Sequence, residues 1–155
     1  MRSWWHWLTV SVVVIALDQI TKQWVSQSLG LMDVIPVTPY FNLVLAHNAG
    51  AAFSFLAGAG GWQRGFFSLI ALVAAAVIVH LLRKHYGEKM FSLALVLILG
   101  GALGNLIDRI LLGHVIDFLD FYVQAWHWPA FNVADMAITA GAGLLVWDSL
   151  KKPVR

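Results

Sequence analysis

The sequence predicts an all-α membrane protein with a small β element: four transmembrane helices within one domain spanning residues 1–155, the stretch between the first two being either a plain connector or a small sheet lying on the outer leaflet. Three observations predict it. Hydrophobic residues make up 60% of the chain and charged residues only 12%, with a mean hydropathy of +0.76. Four apolar segments fall at about 4–24, 66–82, 91–112 and 133–150, each close to the roughly 20 residues a membrane crossing takes. Between the first two, residues about 30–62 are too polar and too broken to span, and their turn and strand signals mark the β element.

The first segment opens with Met1-Arg2-Ser3 and runs apolar from Trp4 to Leu17, superficially like a secretory leader. It lacks a small-x-small cleavage site, and Asp18-Gln-Ile-Thr-Lys22 follows directly, so a retained helix is expected. In the connector, Ile35-Pro-Val-Thr-Pro39 and Tyr40 to Ala46 read as short strands, with the prolines confined to an edge. Asn48-Ala-Gly50 signals a turn, and Gly58, Gly60 and Gly61 signal the return to the second helix. That helix is short, and neighbouring side chains reach the interface by snorkelling. Gly100 and Gly104 in the third segment, and Ala137 and Gly141 in the fourth, are spaced as small-xxx-small pairs. Such pairs let helices approach where no hydrophobic effect drives association. They are expected to bring the third and fourth helices together near their outer ends.

Basic residues give the orientation. Arg2, the cluster Arg83, Lys84 and Lys89, and the tail Lys151, Lys152 and Arg155 share one side; of the 10 Lys and Arg, only Lys22, Arg64 and Arg109 lie toward the other. The positive-inside rule then puts both termini and the central loop in the cytoplasm. The tryptophans fit that frame: Trp4, Trp5, Trp7 and Trp147 fall at the inner boundary, and Trp24, Trp62, Trp126 and Trp128 at the outer one. The same placement explains the pI of about 9.2 without a nucleic-acid partner. With no Cys, disulfides, thiolate nucleophiles and Cys-ligated metals are excluded.

The polar residues of the apolar segments converge on one leaflet. Counting from Phe91, Asp108 lies roughly 26 Å along its helix; Asp135 lies roughly 22 Å back from Leu150, and Asp18 roughly 21 Å beyond Trp4. Asp117 follows the third helix on the outer side, and Asn48 belongs to the outer connector. A carboxylate near lipid is costly, and its default reading is functional. Two carboxylates held together share one proton, so that one activates water while the other protonates a carbonyl oxygen. Asp117 and Asp135, at the boundary where water and an embedded substrate meet, are the candidates for such an amide hydrolysis. Asp18 and Lys22, at i,i+4, are expected to pair structurally. Asn105 shares a helix face with Asp108 and with Arg109, and these are expected to form one buried network.

Two other chemistries stand beside this one. His114, Asp117 and Asp120 are metal-ligand types, and Asp117-x-x-Asp120 would serve a magnesium-dependent transferase acting on lipid phosphates. A proton-coupled carrier would use the aspartates as a relay. Chelator sensitivity separates the first from hydrolysis, and a carrier needs ionisable groups on both sides of the midplane. No Ser lies in a Gly-x-Ser-x-Gly setting.

Five stretches in order, taken together, resemble the lipoprotein signal peptidases (signal peptidase II) over nearly the whole chain. They are Asp18-Gln-Ile-Thr-Lys22, Phe41 to Ser54 around His47-Asn48-Ala49-Gly50, Gly100 to Arg109 with Asn105 and Asp108, Gly113-His-Val-Ile-Asp117-Phe118, and Phe131-Asn132-Val-Ala-Asp135. The resemblance implies catalytic aspartates at Asp117 and Asp135. It implies polar support and substrate binding from Asp18, Lys22, Asn48, Asn105, Asp108, Arg109 and Asn132, with no metal and no cofactor. It further implies a monomeric enzyme of the bacterial inner membrane, with its site toward the extracytoplasmic side. Its substrates would be prolipoprotein signal peptides, removed just before a diacylglyceryl-Cys, in contact with membrane lipids. Four transmembrane helices plus an extracytoplasmic β-cradle at about residues 30–62, a half-helix or lid near residues 56–66, and inhibition by cyclic peptide antibiotics such as globomycin are also implied.

Overall fold

The computed structural model describes residues 3–50 and 61–151. A 3-10 turn, Trp4–Trp7, leads into α1 (Leu8–Ser28); β1 (Val34–Thr38) and β2 (Phe41–Asn48) follow. After them come α2 (Gln63–His85), α3 (Lys89–Leu111), β3 (Val115–Val123), β4 (Trp126–His127) and α4 (Val133–Lys151). Each helix falls on an expected segment, with α1 starting four residues later, after the 3-10 turn, and every helix running past the segment at one end or both. In α2 the extension carries Arg83, Lys84 and His85 in the last turn, where cations complement the helix dipole. The return through Gly58 and Gly60, most of the expected lid, Ser54, and the terminal bases Arg2, Lys152 and Arg155 lie outside the described residues. The described end of the lid range is the start of α2.

All four helical stretches are long and apolar enough to cross a membrane, and their outward faces agree. Val12, Val13 and Ile20 on α1 and Leu69, Val73 and Val77 on α2 are exposed, apolar faces of the kind that lipid covers on a membrane helix. The chain is a multi-pass membrane protein. Helix α3 sits in the middle, against α1, α2 and α4, and its Leu95, Val96 and Leu99 pack with Ile78 and Leu82 of α2.

Close helix contact between α3 and α4 is made as expected by Gly104 and Gly141, while Gly100 serves α1 instead. Gly100 faces Val14 and the Ser11 carbonyl of α1, and Gly104 faces Asp18 and Ala134. The approach of α3 to α4 runs through Gly101, which lies on the Ala134 carbonyl and Ile138, and through Gly141, which lies on Ala94 and Ile98. A one-residue step turns a helix by about 100°, which is why Gly100 and its neighbour Gly101 serve different helices.

The sheet is larger than the connector. Its order is β1-β2-β3-β4, all antiparallel, so half of its strands come from the segment after α3. Ile116 and Phe118 of β3 and Leu45 of β2 pack on Val25, which seats the sheet on the end of α1. The β2–β3 register slips between Leu43 and Ala46, where β2 has one residue more than β3. An extra residue inverts the alternation of faces. Asn42 therefore pairs with Asp120 on one face, while Asn48 reaches Asp117 on the other.

Candidate active site

The site is assembled where the N-terminus of α4 meets the sheet and the outer turns of α1 and α3. The first N–H groups of a helix have no partner within it, and here side chains supply them. Asn132 accepts the backbone N–H of Asp135 at 2.9 Å, an N-cap bond to the third helical position. Asp18 of α1 accepts the N–H of Ala134 at 2.9 Å. Asp135 is thereby fixed in the first turn of α4.

Asn132, fully buried, also ties that turn to β3. Its amide donates to Asp117 Oδ1 at 2.7 Å and to the Ile116 carbonyl at 3.2 Å. Asn48 donates to Asp117 Oδ2 at 3.0 Å, and Asn105 donates to Asp135 Oδ1 at 2.8 Å. Each carboxylate thus has an asparagine donor from a different element, and Asn132 bridges the pair. Burial first, and then the charge of Asp135, push Asp117 up to about 7, against the lowering hydrogen bonds of Asn48 and Asn132. Asp135 is half-buried and opens onto a cleft of about 370 Å³ with Trp128, Phe131, Met136 and Thr139.

Beneath the pair lies a buried network that differs from the expected one: Lys22 joins the Asp18 pair to Asn105 and Asp108, and Arg109 contributes only a bond to the Asn105 backbone. Lys22 Nζ is 2.8 Å from Asp18 Oδ2, 2.9 Å from Asp108 Oδ2 and 2.9 Å from Asn105 Oδ1. Asp108 also accepts the N–H of Ile116 at 3.1 Å, so α3 orients the start of β3. Gln19, which the sequence reading passed over, donates to Asp108 Oδ1 at 2.8 Å and, at 3.2 Å each, to Asp18 Oδ2 and the Gly104 carbonyl. A polar side chain next to Asp18 on an apolar helix was its available signal.

Arg109 points away from its neighbour Asp108. It donates to the Gly50 carbonyl at 2.7 Å and, within α3, to the Asn105 carbonyl at 3.3 Å. Its guanidinium lies 5.4 Å from the Phe67 ring centroid. Its Nε–H is buried with no hydrogen-bond partner among the described residues.

Asp117 and Asp120 do not converge. Residues three apart on a strand face opposite sides, and Asp120 is engaged by Asn42 at 2.8 Å and His127 at 2.9 Å. The Asp-x-x-Asp pair that a magnesium site would use is therefore not formed. His114 stacks on His47 at 3.8 Å between centroids, and burial followed by His47 lowers its pKa.

These features define a class: a membrane-embedded protein whose polar, carboxylate-bearing site is built between helix ends and a small surface sheet. Residues 10–151 match the sequence profile of the family described as Signal peptidase (SPase) II. The chain is 58% identical over 146 residues to a lipoprotein signal peptidase of Paraburkholderia phymatum, covering 94% of this chain and 88% of that one. To one of Paraburkholderia phytofirmans it is 59% identical, covering 94% and 85%. Two solved structures described as bacterial membrane enzymes share the fold. One superposes with a TM-score of 0.85 at 30% identity, over 97% of this chain and 93% of that one. The other has a TM-score of 0.83 at 32% identity, over 95% and 94%. The chain belongs to the lipoprotein signal peptidase (signal peptidase II) family, and its activity is that of a peptidase of lipoprotein processing.

Proposed function

We propose that Asp117 and Asp135 are the catalytic pair of an aspartic endopeptidase that cuts prolipoproteins before a diacylglyceryl-modified Cys. The observation that carries this reading is Asn132, whose side chain holds Asp117 by its amide and the Asp135 turn by its carbonyl. One residue thereby holds the carboxyl group of Asp117 and the turn that carries Asp135.

With a pKa of about 7, Asp117 serves as the carboxylic acid and Asp135 as the base. Asp135 takes a proton from water as the water oxygen attacks the scissile carbonyl carbon. Asp117 gives its proton to the carbonyl oxygen. The tetrahedral species collapses as the C–N bond breaks, the leaving nitrogen takes a proton from Asp135, and a hydroxyl proton returns to Asp117. No metal or other cofactor enters the cycle. Arg109 positions the substrate, since its guanidinium already donates to a backbone carbonyl, that of Gly50, and its Nε–H has no partner among the described residues, so a peptide carbonyl would supply one. Asp18, Lys22, Asn105 and Asp108 hold the frame, and Asn48 and Asn132 set the charge balance of Asp117.

The enzyme works as a monomer in the bacterial inner membrane, with the site and sheet on the extracytoplasmic side and both termini in the cytoplasm. The cleft beside Asp135 accepts the substrate from the lipid phase. Cyclic peptides such as globomycin inhibit by occupying it. The test is gel-shift cleavage of a diacylglyceryl-modified prolipoprotein and its unlipidated precursor by the purified chain, with and without EDTA. Cleavage of the lipidated form alone, indifferent to chelation, is expected. Equal cleavage of both forms would overturn the substrate reading, and abolition by EDTA would overturn the mechanism.

A further inference from the structure

At the end of the bundle opposite the carboxylates lies a cavity of about 650 Å³ that peptide hydrolysis does not use. Its walls come from two places far apart in sequence: Ser3, His6, Trp7 and Val10 at the start of the first helix, and Tyr86 and Lys89 at the turn between α2 and α3. The two are pinned together, because the Trp7 indole N–H donates to the Tyr86 carbonyl at 3.1 Å. The cavity is therefore built by tertiary structure. Its size falls in the ~300–1,000 Å³ range of small-molecule sites.

The wall chemistry is two-sided. Trp7 and Val10, half-buried, present apolar surface along α1. At the rim stands Lys89, exposed at the start of α3. Arg83 lies 4.7 Å from the Trp4 ring centroid, and Lys84 is exposed beside it. The acidic group of this turn, Glu88, faces His85 at 2.7 Å, which leaves an excess of positive charge at the mouth. Exposed Trp5 places this level at a membrane interface, where tryptophan rings concentrate.

An apolar wall continuing into a membrane helix, under a cationic rim at the interface, matches one occupant. The geometry points to a binding site for an anionic phospholipid, its phosphate at Lys89 and His6 and its upper acyl chain along Trp7 and Val10. Charge complementarity sets the preference, since basic pockets between membrane helices select anionic headgroups. The bound lipid would bridge α1 to the α2–α3 turn, in the leaflet remote from the chemistry.

Native mass spectrometry of the full-length protein, released from detergent with phosphatidylglycerol or phosphatidylcholine added, tests this. One phosphatidylglycerol should be retained in preference to phosphatidylcholine. Lys89→Gln should weaken that retention about fivefold, the weight of one basic side chain beside an anionic headgroup, while Lys84→Gln, which removes an equal charge outside the walls, should not. Gly87→Phe gives an independent arm. Gly87 lines the cavity, and a Cβ there meets nothing within 4 Å, so a phenyl ring is accommodated at the cavity wall without changing charge and should expel the lipid. Prolipoprotein cleavage in detergent shows each variant to be folded, and either variant alone is sufficient. Equal retention of the two lipids, equal losses in Lys89→Gln and Lys84→Gln, or full retention in Gly87→Phe would overturn the site. Excess inorganic phosphate should leave the lipid in place; displacement would assign the selectivity to the free anion and overturn the lipid reading.

Discussion

Asp18 and Ala134 stand 116 residues apart, and the carboxylate of the first accepts the backbone N–H of the second at 2.9 Å. The bond joins α1 to the first turn of α4, one residue before Asp135. The same carboxylate holds Lys22 at 2.8 Å, so a buried ion network positions the turn that carries a proposed catalytic group. Lys22 is 2% exposed and Asp18 wholly buried. Removing one member of a buried pair costs about 3–5 kcal/mol, because the remaining charge is uncompensated. Lys22→Met is expected to lower stability by that amount in denaturant titrations of the micellar protein. A loss below about 1 kcal/mol, the scale of an exposed pair, would show that the network carries no such weight.

The helices and the converging carboxylates were legible in the sequence because lipid forces apolar runs of one length, and any polar residue inside them stands out. Asp18–Lys22 was legible from i,i+4 spacing alone. The third strand was not. In Val115-Ile-Asp-Phe-Leu-Asp-Phe-Tyr-Val123, apolar residues face both Val25 and the neighbouring strands, so the two-residue alternation of a half-buried strand is absent. Its β-branched and aromatic content, ending at the positive-φ residue Gln124, was the signal available. The glycine stripes named close contacts correctly and placed Gly104 and Gly141 at the α3–α4 approach, but they gave Gly100 the wrong partner, since spacing along one helix does not say which neighbour lies opposite. Nor does sequence show a register slip, which here separates Asn42 from Asn48.

Membrane orientation is testable without background, since the chain has no native Cys. Tyr86→Cys, in the α2–α3 turn, should resist an impermeant thiol reagent in intact spheroplasts, and Trp126→Cys, on β4, should react. The reverse pattern would invert the topology and place the sheet in the cytoplasm.

Gly101 measures how closely α3 and α4 must approach. A Cβ there would overlap the Ala134 carbonyl and Ile138, and backbone cannot yield as a side-chain tip can. Gly101→Ala should destabilise by about 1–3 kcal/mol and reduce cleavage, because it pushes on the turn that holds Asp135. Gly143→Ala is the control, with nothing within 4 Å of its added Cβ, and should be neutral or slightly stabilising. Equal behaviour of the two variants in unfolding and cleavage assays would refute the tight contact.

Asn48 offers a test by pH. Asp117 must hold a proton to act as the acid, so kcat/KM should fall as pH rises through about 7. The Asn48 amide favours the ionised form of Asp117. Asn48→Ala removes that donor, the Asp117 pKa rises, and the alkaline limb should move to higher pH even as the maximal rate drops. A limb that stays in place, or moves to lower pH, would detach Asp117 from the acid role.

Asp117 and Asp135 should behave as one unit. Each Asp→Asn change keeps size and polarity while ending the carboxyl's ability to cycle a proton, so either should lower turnover by orders of magnitude with the protein still folded. Once one carboxyl is lost, the other has no partner to receive or return the proton, and removing it as well changes little. The Asp117→Asn/Asp135→Asn double variant should therefore be about as slow as the worse single variant, well short of the product of the two losses. Single-turnover cleavage of the lipidated substrate measures all three. Multiplicative losses would mean that the carboxyls act independently, and near-wild-type cleavage by Asp135→Asn would remove that residue from the chemistry altogether.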